Sequence, residues 1–342
     1  MKYITFTIPC YNSEKYLHKA VDSLLAVKDD AEIIIVNDGS TDKTLEIANA
    51  YQKKHPKTIK VIDKENGGHG SGVNAGLKEA TGLYYKVVDS DDWLDHENIV
   101  TFIETIKKHY QEATLPDLYV LDFIYEQVAK QENFVRSYEK NFPSNKIFTW
   151  NQTKKKFKYS NTMLMHAQVF KTSVLRRSGV ELPEHTFYVD NIFSYTPLAF
   201  VEKIYYLPLV LYHYYIGRDD QSVQLHNIVD RYEQQIKVMN IMLHTYSYRD
   251  IKRMPKGLRK YMKHLLSAIM IITQMFTSAK DSKERRKDLK KLWRDLRKKD
   301  QALYWFLRYR SMNTLVNFLP WKLRGYLMLK GYLYLAKKVK LG

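Results

Sequence analysis

The chain has almost no cysteine. Cys10 is the only one in 342 residues, which excludes an intramolecular disulfide and any cysteine-based zinc cage and agrees with a reducing compartment. Long apolar runs are missing too: no stretch supplies the roughly 20 uninterrupted apolar residues of a membrane-spanning helix. The opening Met1-Lys2-Tyr3-Ile4-Thr5-Phe6-Thr7-Ile8-Pro9 carries an apolar run too short for a signal peptide and reads as a strand, so a cytoplasmic location is expected. Acidic residues are scarce in one region only. Residues 251–342 hold 25 Lys and Arg against 5 Asp and Glu, whereas residues 1–250 hold 30 against 32. The formal net charge of +18 therefore resides in the C-terminal part. That asymmetry predicts chemistry in the near-neutral body and contact with an anionic surface through the basic part. Two phosphate-binding signatures are absent as well. Gly68, Gly70 and Ala75 miss the Gly-x-Gly-x-x-Gly spacing, and the same loop lacks Gly-Lys-Ser/Thr.

What is present is a regular alternation. Residues 3–8, 32–36, 59–62 and 83–88 read as strands, and 14–27, 41–51 and 73–80 as helices with apolar residues at helical spacing. Strands alternating with helices imply βαβ units and a parallel sheet, and ligands of such sheets bind at the carboxyl ends of the strands. Three polar clusters, 9–12, 37–41 and 89–92, fall at such ends, which predicts one shared site. Further strands are expected over 118–125 and 204–212, and helical patterns from about 225 onward. A catalytic domain over 1–224 and a basic helical region over 225–342 follow from this division, with no linker at the boundary. The 27 tyrosines could stack on sugars, although packing is their more ordinary use.

Asp89-Ser90-Asp91-Asp92 directly follows an apolar strand. Three carboxylates in four residues repel one another unless a cation or hydrogen bonds intervene. An oxygen-ligated Mg2+ or Mn2+ would relieve the repulsion; an acidic turn capping the next helix is the other reading, and the position at a strand's end favours the metal. Asp38, also at a strand's end, can accept a hydrogen bond from a nucleobase or belong to a turn in which Asp42 caps the following helix. The loop Asn66-Gly67-Gly68-His69-Gly70-Ser71-Gly72 opens a helix and offers bare backbone to a phosphate or a sugar. His69 could touch that phosphate or satisfy the loop backbone.

As a set these segments resemble the family-2 glycosyltransferases of GT-A fold, whose Rossmann-like sheet is mixed, mainly parallel and flanked by helices. The resemblance rests on Ile8-Pro9-Cys10-Tyr11-Asn12 with Leu17, on Val36-Asn37-Asp38-Gly39-Ser40-Thr41-Asp42, on Asn66-Gly67-Gly68 with Asn74-Ala75-Gly76-Leu77, and on Val88-Asp89-Ser90-Asp91-Asp92. It implies that Pro9, Tyr11 and Asp38 hold the nucleobase of a UDP-sugar donor. Asn66 and Gly67 then lie on the ribose and diphosphate side. Asp89 and Asp91 bind Mn2+ or Mg2+ as the Asp-x-Asp pair, Asp91 more directly. Val73 stands where many relatives carry an arginine before Asn-Ala-Gly, so His69 or Ser71 would have to replace that donor contact. Asp190, in Phe187-Tyr188-Val189-Asp190-Asn191, falls on the catalytic base, with Val189 in place of the usual acidic neighbour. His213 and Arg218 fall on the segment that folds over the diphosphate. The implied reaction is a single displacement with inversion: Asp190 takes the acceptor hydroxyl proton and the metal steadies the departing nucleoside diphosphate.

Residues 257–277 read as a buried or half-buried helix, and 280–300 as a charged helix with Leu289, Leu292, Trp293 and Leu296 on one face. Residues 303–336 alternate Leu and aromatics such as Trp305 and Phe318 with Arg and Lys, a composition suited to an anionic membrane interface. A helical subdomain with a solvated basic face and contact with an anionic polymer are the other readings. Nucleic acid is not expected, since no recognition module is present. A membrane surface would make a lipid-linked glycan the natural acceptor, as in cell-surface polysaccharide synthesis. Two further functions compete with sugar transfer: a nucleotidyltransferase, which would need a lysine-bearing glycine loop near the N-terminus, and a non-catalytic scaffold that retains the fold. The sequence carries no signal of oligomeric state.

Overall fold

The computed structural model describes residues 1–127, 132–154, 157–216 and 225–339. Its strands are β1 (Ile4–Cys10), β2 (Ala31–Asp38), β3 (Ile59–Lys64), β4 (Tyr84–Val87), β5 (Trp93–Leu94), β6 (Leu118–Gln127), β7 (Glu132–Arg136), β8 (Ile147–Phe148), β9 (Gln168–Lys171) and β10 (Ile204–Ile216). They form one sheet in the order β3-β2-β1-β4-β9-β6-β10-β5, with β7 beside β6 and β8 beside β10. All seven residues of β1 are buried, as befits a central strand covered on both faces. The strand runs parallel to β2, with Ile4 opposite Ala31 and Cys10 opposite Asn37, and parallel to β4, with Ile4 opposite Tyr84. Strand β3 extends the parallel set beyond β2. Past β4 the sheet turns mixed: β9 runs antiparallel to β4, β6 antiparallel to β9, and β5 antiparallel to β10. The parallel strands thus end on one edge, where residues 9–12, 37–41 and 89–92 emerge. The α/β sheet of GT-A type expected from the sequence is present.

Helices Thr44–Lys54 and His69–Glu79 connect β2 to β3 and β3 to β4. The second lies so close to the sheet that a Cβ on Gly76 would overlap the Thr7 side chain, and one on Gly72 would sit 2.8 Å from Pro9 Cβ. Helix His96–Gln111 begins at Asp95, whose carboxylate accepts from the backbone N–H groups of Glu97 (3.1 Å) and Asn98 (2.8 Å). Asp95 is therefore the cap of this helix, and Asp89, Asp91 and Asp92 are not consumed in capping it.

The chain forms two compact units, residues 1–126, 133–155 and 163–215, and residues 127–132, 156–162 and 216–342. The second is helical. Its central helix, Lys256–Ser278, buries most of its length and packs against Tyr232–Thr245, Lys283–Lys299 and Trp321–Val339. Leu289, Leu292, Trp293 and Leu296 are buried, as their spacing predicts. Each fully buried large apolar side chain contributes about 1.5–3 kcal/mol, which is how a helix this rich in Lys and Arg is held in place. A buried polar network crosses the unit: Gln274 Nε2 donates to Asn313 Oδ1 (2.7 Å), and Asn313 Nδ2 donates to Ser267 O (3.1 Å) and Oγ (3.0 Å). Residues 301–339 differ in leaving large apolar side chains in solvent, including Trp305 (51% exposed), Leu315 (66%), Phe318 (74%) and Tyr326 (55%). No helix among the described residues is long and apolar enough to cross a membrane.

Candidate active site

The three polar clusters are stitched together by side chains that leave the strand ends. Asn12, at φ +49°, accepts from Thr41 N (2.9 Å) and donates its own N–H to Ser40 Oγ (3.0 Å). Ser13 Oγ lies 2.7 Å from Ser90 Oγ. Pro9 is buried opposite Val36, while Tyr11 is 54% exposed.

Asp38 organises the glycine loop. Its Oδ1 accepts from Lys64 Nζ (2.7 Å) and Gly67 N (2.9 Å), and its Oδ2 from Gly68 N (2.7 Å). Asn66 Nδ2 donates to the Asp38 carbonyl (2.9 Å). Gly68 sits at φ +81°, a conformation that glycine adopts without steric penalty, and the turn delivers His69 as the first residue of the next helix. On its far side the loop holds the segment that carries Asp190. Gly67 O accepts from His185 N (2.7 Å), and Asn74 makes two bonds with Leu182, Nδ2 to its carbonyl (2.8 Å) and Oδ1 from its N–H (3.0 Å). Within that segment His185 and Tyr188 have φ +48° and +64°, strain of the kind that concentrates at functional sites. Asp190 then opens helix Asp190–Tyr195.

Around Asp89 the groups converge. His69 Nε2 is 2.8 Å from Asp89 Oδ1, and His166 Nε2 is 3.5 Å from Asp89 Oδ2. Tyr212 Oη accepts from Asp89 N (3.1 Å) and donates to Asp92 Oδ2 (2.5 Å), while Asp92 Oδ1 accepts from Tyr215 N (2.8 Å). Burial would raise the Asp89 carboxyl, but His69 and His166 outweigh it and hold Asp89 well below the usual carboxylate range. Burial would lower His69; the charge of Asp89, with those of Asp190 and Asp91, outweighs that and raises it. Asp92 is pushed up by burial and then by the charges of Asp91 and Asp89. Asp190 is also raised, mainly by burial, against the opposing pull of His166 and His69. Lys86, fully buried with Nζ 2.6 Å from His166 O, is pushed down by burial to about 7 against the pull of Asp89 and Asp92. Asp89, Asp91 and Asp190 therefore share one electrostatic neighbourhood.

These residues fit a divalent cation. Asp89, Asp92 and His166 each offer a ligand atom, and the three atoms lie within 4.8 Å of one another. His166 Nδ1 is buried without a hydrogen-bond partner.

Residues 5–178 match the family model described as "Glycosyl transferase family 2". The chain belongs to that family. Among its relatives is a Bacillus subtilis (strain 168) protein described as the glycosyltransferase EpsH, 28% identical over 283 residues, covering 78% of this chain and 74% of EpsH. The poly(ribitol-phosphate) beta-glucosyltransferase of Bacillus spizizenii is 29% identical over 234 residues, 65% of this chain but 33% of the relative. Among solved structures, S. aureus TarS 1-349 in complex with UDP-GlcNAc superposes with a TM-score of 0.64 at 20% identity, covering 97% of this chain and 92% of that one. At that identity it shows the GT-A fold of this family-2 member.

Two of the residues expected in the site stand apart. His213 lies on β10 between Tyr212 and Tyr214, which both contact His166. Alternate side chains point to opposite faces of a strand, and His213 faces away from this group: Nδ1 is 2.7 Å from Glu126 Oε1 and the ring stacks on Trp93 (5.2 Å between centroids, 18° between planes). Arg218 lies outside the described residues. Conversely, His166 carries no motif signal, and Tyr212 lies in the segment that resembles the family's diphosphate-covering stretch without being singled out there. His166 reaches Asp89 because β9, which it precedes, pairs with β4, and Tyr212 because it lies opposite Leu94 of β5, just past Asp92.

Proposed function

We propose that this family-2 member is an inverting glycosyltransferase that moves a sugar from a UDP-sugar to a hydroxyl of a glycan or lipid-linked acceptor in cell-surface polysaccharide or glycoconjugate synthesis. The observation that carries the reading is the convergence of Asp89, Asp91, Asp190, His69 and His166 beside a glycine loop pinned by Asp38. The complex of TarS with UDP-GlcNAc and the poly(ribitol-phosphate) glucosyltransferase relative support the donor and acceptor classes.

In this reading Tyr11 and Pro9 flank the uracil. Asp38 keeps the one lone-pair site that its three donors leave for the base edge. The N-terminus of helix His69–Glu79 faces the diphosphate, while the Gly67 and Gly68 N–H groups stay with Asp38. Asp89 and Asp91 would hold the cation, Mn2+ or Mg2+, with Asp92 and His166 offering further ligand atoms next to Asp89; the bound ion would neutralise charge on the leaving diphosphate as a Lewis acid. Asp190 removes the acceptor proton. Burial raises its affinity for that proton, which suits a general base. Arg218 is assigned to the diphosphate side as well; His213, turned toward Glu126 and Trp93, is not assigned there. In the C-terminal unit, the exposed aromatics among Arg308, Arg310, Lys322 and Lys330 suit an anionic surface, which would place the enzyme peripherally at the inner face of the cell membrane.

Release of UDP from a panel of UDP-sugars, with and without added Mn2+, tests the activity. Cation-stimulated release from at least one donor is expected; absence of both binding and release across the panel would sink the reading.

A further inference from the structure

We propose that Lys252, Arg259 and Lys263, gathered round the stacked rings of Tyr248 and Phe306, form a cradle for the headgroup phosphate of an anionic phospholipid. The proposal deepens the peripheral-membrane part of the reading above and rests on it; it does not depend on sugar transfer.

These residues all belong to the C-terminal unit. Residues 249–263 hold seven Lys and Arg against one acid, Asp250. That acid closes the cap of helix Tyr248–Arg253, accepting from Ser247 N (3.0 Å) and Ser247 Oγ (2.6 Å). Among the described residues none of the seven cations forms an ion pair. Lys256 and Arg259 stand in the first turn of helix Lys256–Ser278, which has no acid there and where the helix dipole disfavours positive charge. A local rule is thus broken without compensation inside the fold, as happens where function rather than stability sets the residue.

Three of the cations are drawn together. Asp300 Oδ2 accepts from Tyr248 N (2.6 Å) and its Oδ1 from Leu303 N (2.8 Å). The carboxylate therefore joins the starts of helices Tyr248–Arg253 and Gln301–Tyr309 and sets the Tyr248 ring against Phe306 (5.9 Å between centroids, 29° between planes). Lys252 Nζ stands 5.2 Å from the Tyr248 ring, and Lys263 Nζ 6.0 Å from that ring and 4.7 Å from Phe306. Arg259 is anchored by Nη1 to the Lys252 carbonyl (3.0 Å). Burial, and then the charges of Arg259 and Lys252, push the Lys263 ammonium down; a bound anion relieves that repulsion. A guanidinium and two ammonium groups converging from two helices suit the several oxygens of a tetrahedral phosphate better than the two coplanar oxygens of a carboxylate.

The neighbouring surface says what carries the phosphate. On helix Gln301–Tyr309, Trp305 (51% exposed) and Tyr309 (41%) leave their rings in solvent, 4.6 Å apart, beside Phe306. A soluble polyanion gives such rings nothing to bury against, whereas the boundary between headgroups and acyl chains does.

The test is co-sedimentation of the full chain with phosphatidylglycerol vesicles, and with phosphatidylcholine vesicles as the uncharged arm. Two triple variants remove the same charge. One is Lys252→Gln with Arg259→Gln and Lys263→Gln; the other, on exposed side chains outside the cradle, is Arg249→Gln with Arg253→Gln and Lys260→Gln. Wild type should sediment with phosphatidylglycerol and not with phosphatidylcholine. A cation bonded to the phosphate contributes more than one that only lies near the surface, so the cradle triple should bind on the order of tenfold more weakly than the control triple. Equal weakening of the two folded triples overturns the cradle and leaves the membrane reading standing. No sedimentation of wild type with phosphatidylglycerol overturns both. If the cradle triple does not fold, Lys252→Gln against Arg253→Gln, both on exposed side chains, replaces the comparison, and an equal loss again overturns the cradle. Binding of wild type to long-chain polyphosphate without binding to vesicles would give the cradle to a soluble polymer and overturn the lipid assignment.

Discussion

In the proposed reaction Asp190 takes the acceptor proton, and its setting decides how it can do so. Burial raises its carboxyl above the ordinary aspartate range, with Asp89 adding to the rise and His166 and His69 opposing it. A base works only when ionised, so kcat/KM should fall as pH drops through this raised value, with a midpoint above the ~3.9 of an unperturbed aspartate. Asp190→Asn should lower kcat by about 10²- to 10⁴-fold while still binding donor, as read from a pH–rate profile and the donor-induced rise in Tm. A variant with near wild-type kcat would remove Asp190 from the mechanism. Other residues were less legible. Asp38 was marked by its motif, but its three loop-directed donors were not, because they come from Lys64, Gly67 and Gly68 across a turn whose shape depends on φ at Gly68. His166 left no trace in the sequence: it is 77 residues from Asp89, and only strand pairing brings them together.

At the level of elements, helix His69–Glu79 is the part on which the site leans most. It presents His69 at its start, Asn74 to clamp Leu182, and Gly76 against β1. A methyl group at Gly76 must displace the Thr7 side chain or the helix. Gly76→Ala is therefore expected to destabilise the protein by about 1–3 kcal/mol, the usual range for overpacking, as measured by urea denaturation. Stability equal to wild type would show that the helix stands off the sheet. Strands β1 to β4 were legible because each is a short apolar run bounded by turn residues. In the antiparallel half β6 is legible over 118–125, but β9 is not, since it has only four residues, Gln168–Lys171, and its place between β4 and β6 follows from long-range pairing. Strand β10 was recognised over 204–212 yet runs on to Ile216, and its period of two turns Tyr212 and Tyr214 toward His166 and His213 toward Glu126 and Trp93.

For the whole molecule, the excess of Lys and Arg seen over residues 251–342 falls within the second compact unit. Within the C-terminal unit, Lys283–Lys299 buries its apolar face, whereas residues 301–339 keep Trp305, Leu315 and Phe318 in solvent in a stretch, 301–342, with no Asp or Glu at all. Each Lys or Arg near an anionic surface contributes about 1 kcal/mol. Replacing Trp305, Leu315 and Phe318 together by Ser should weaken co-sedimentation with phosphatidylglycerol vesicles several-fold at moderate salt; unchanged sedimentation would count against this surface. Deleting the segment would be a poorer test, because Leu303, Leu307 and Asn313 are buried and their loss would expose the core of the unit. The account as a whole depends on acidic groups from separate strand ends serving one cation and one diphosphate. UDP release from the preferred UDP-sugar, compared between wild type with Mn2+, wild type with EDTA and Asp89→Asn with Mn2+, addresses that most directly. The predicted result is turnover in the first and a fall on the order of a hundredfold or more in the other two, the scale of lost electrostatic stabilisation at a transition state. Equal turnover in all three would contradict it.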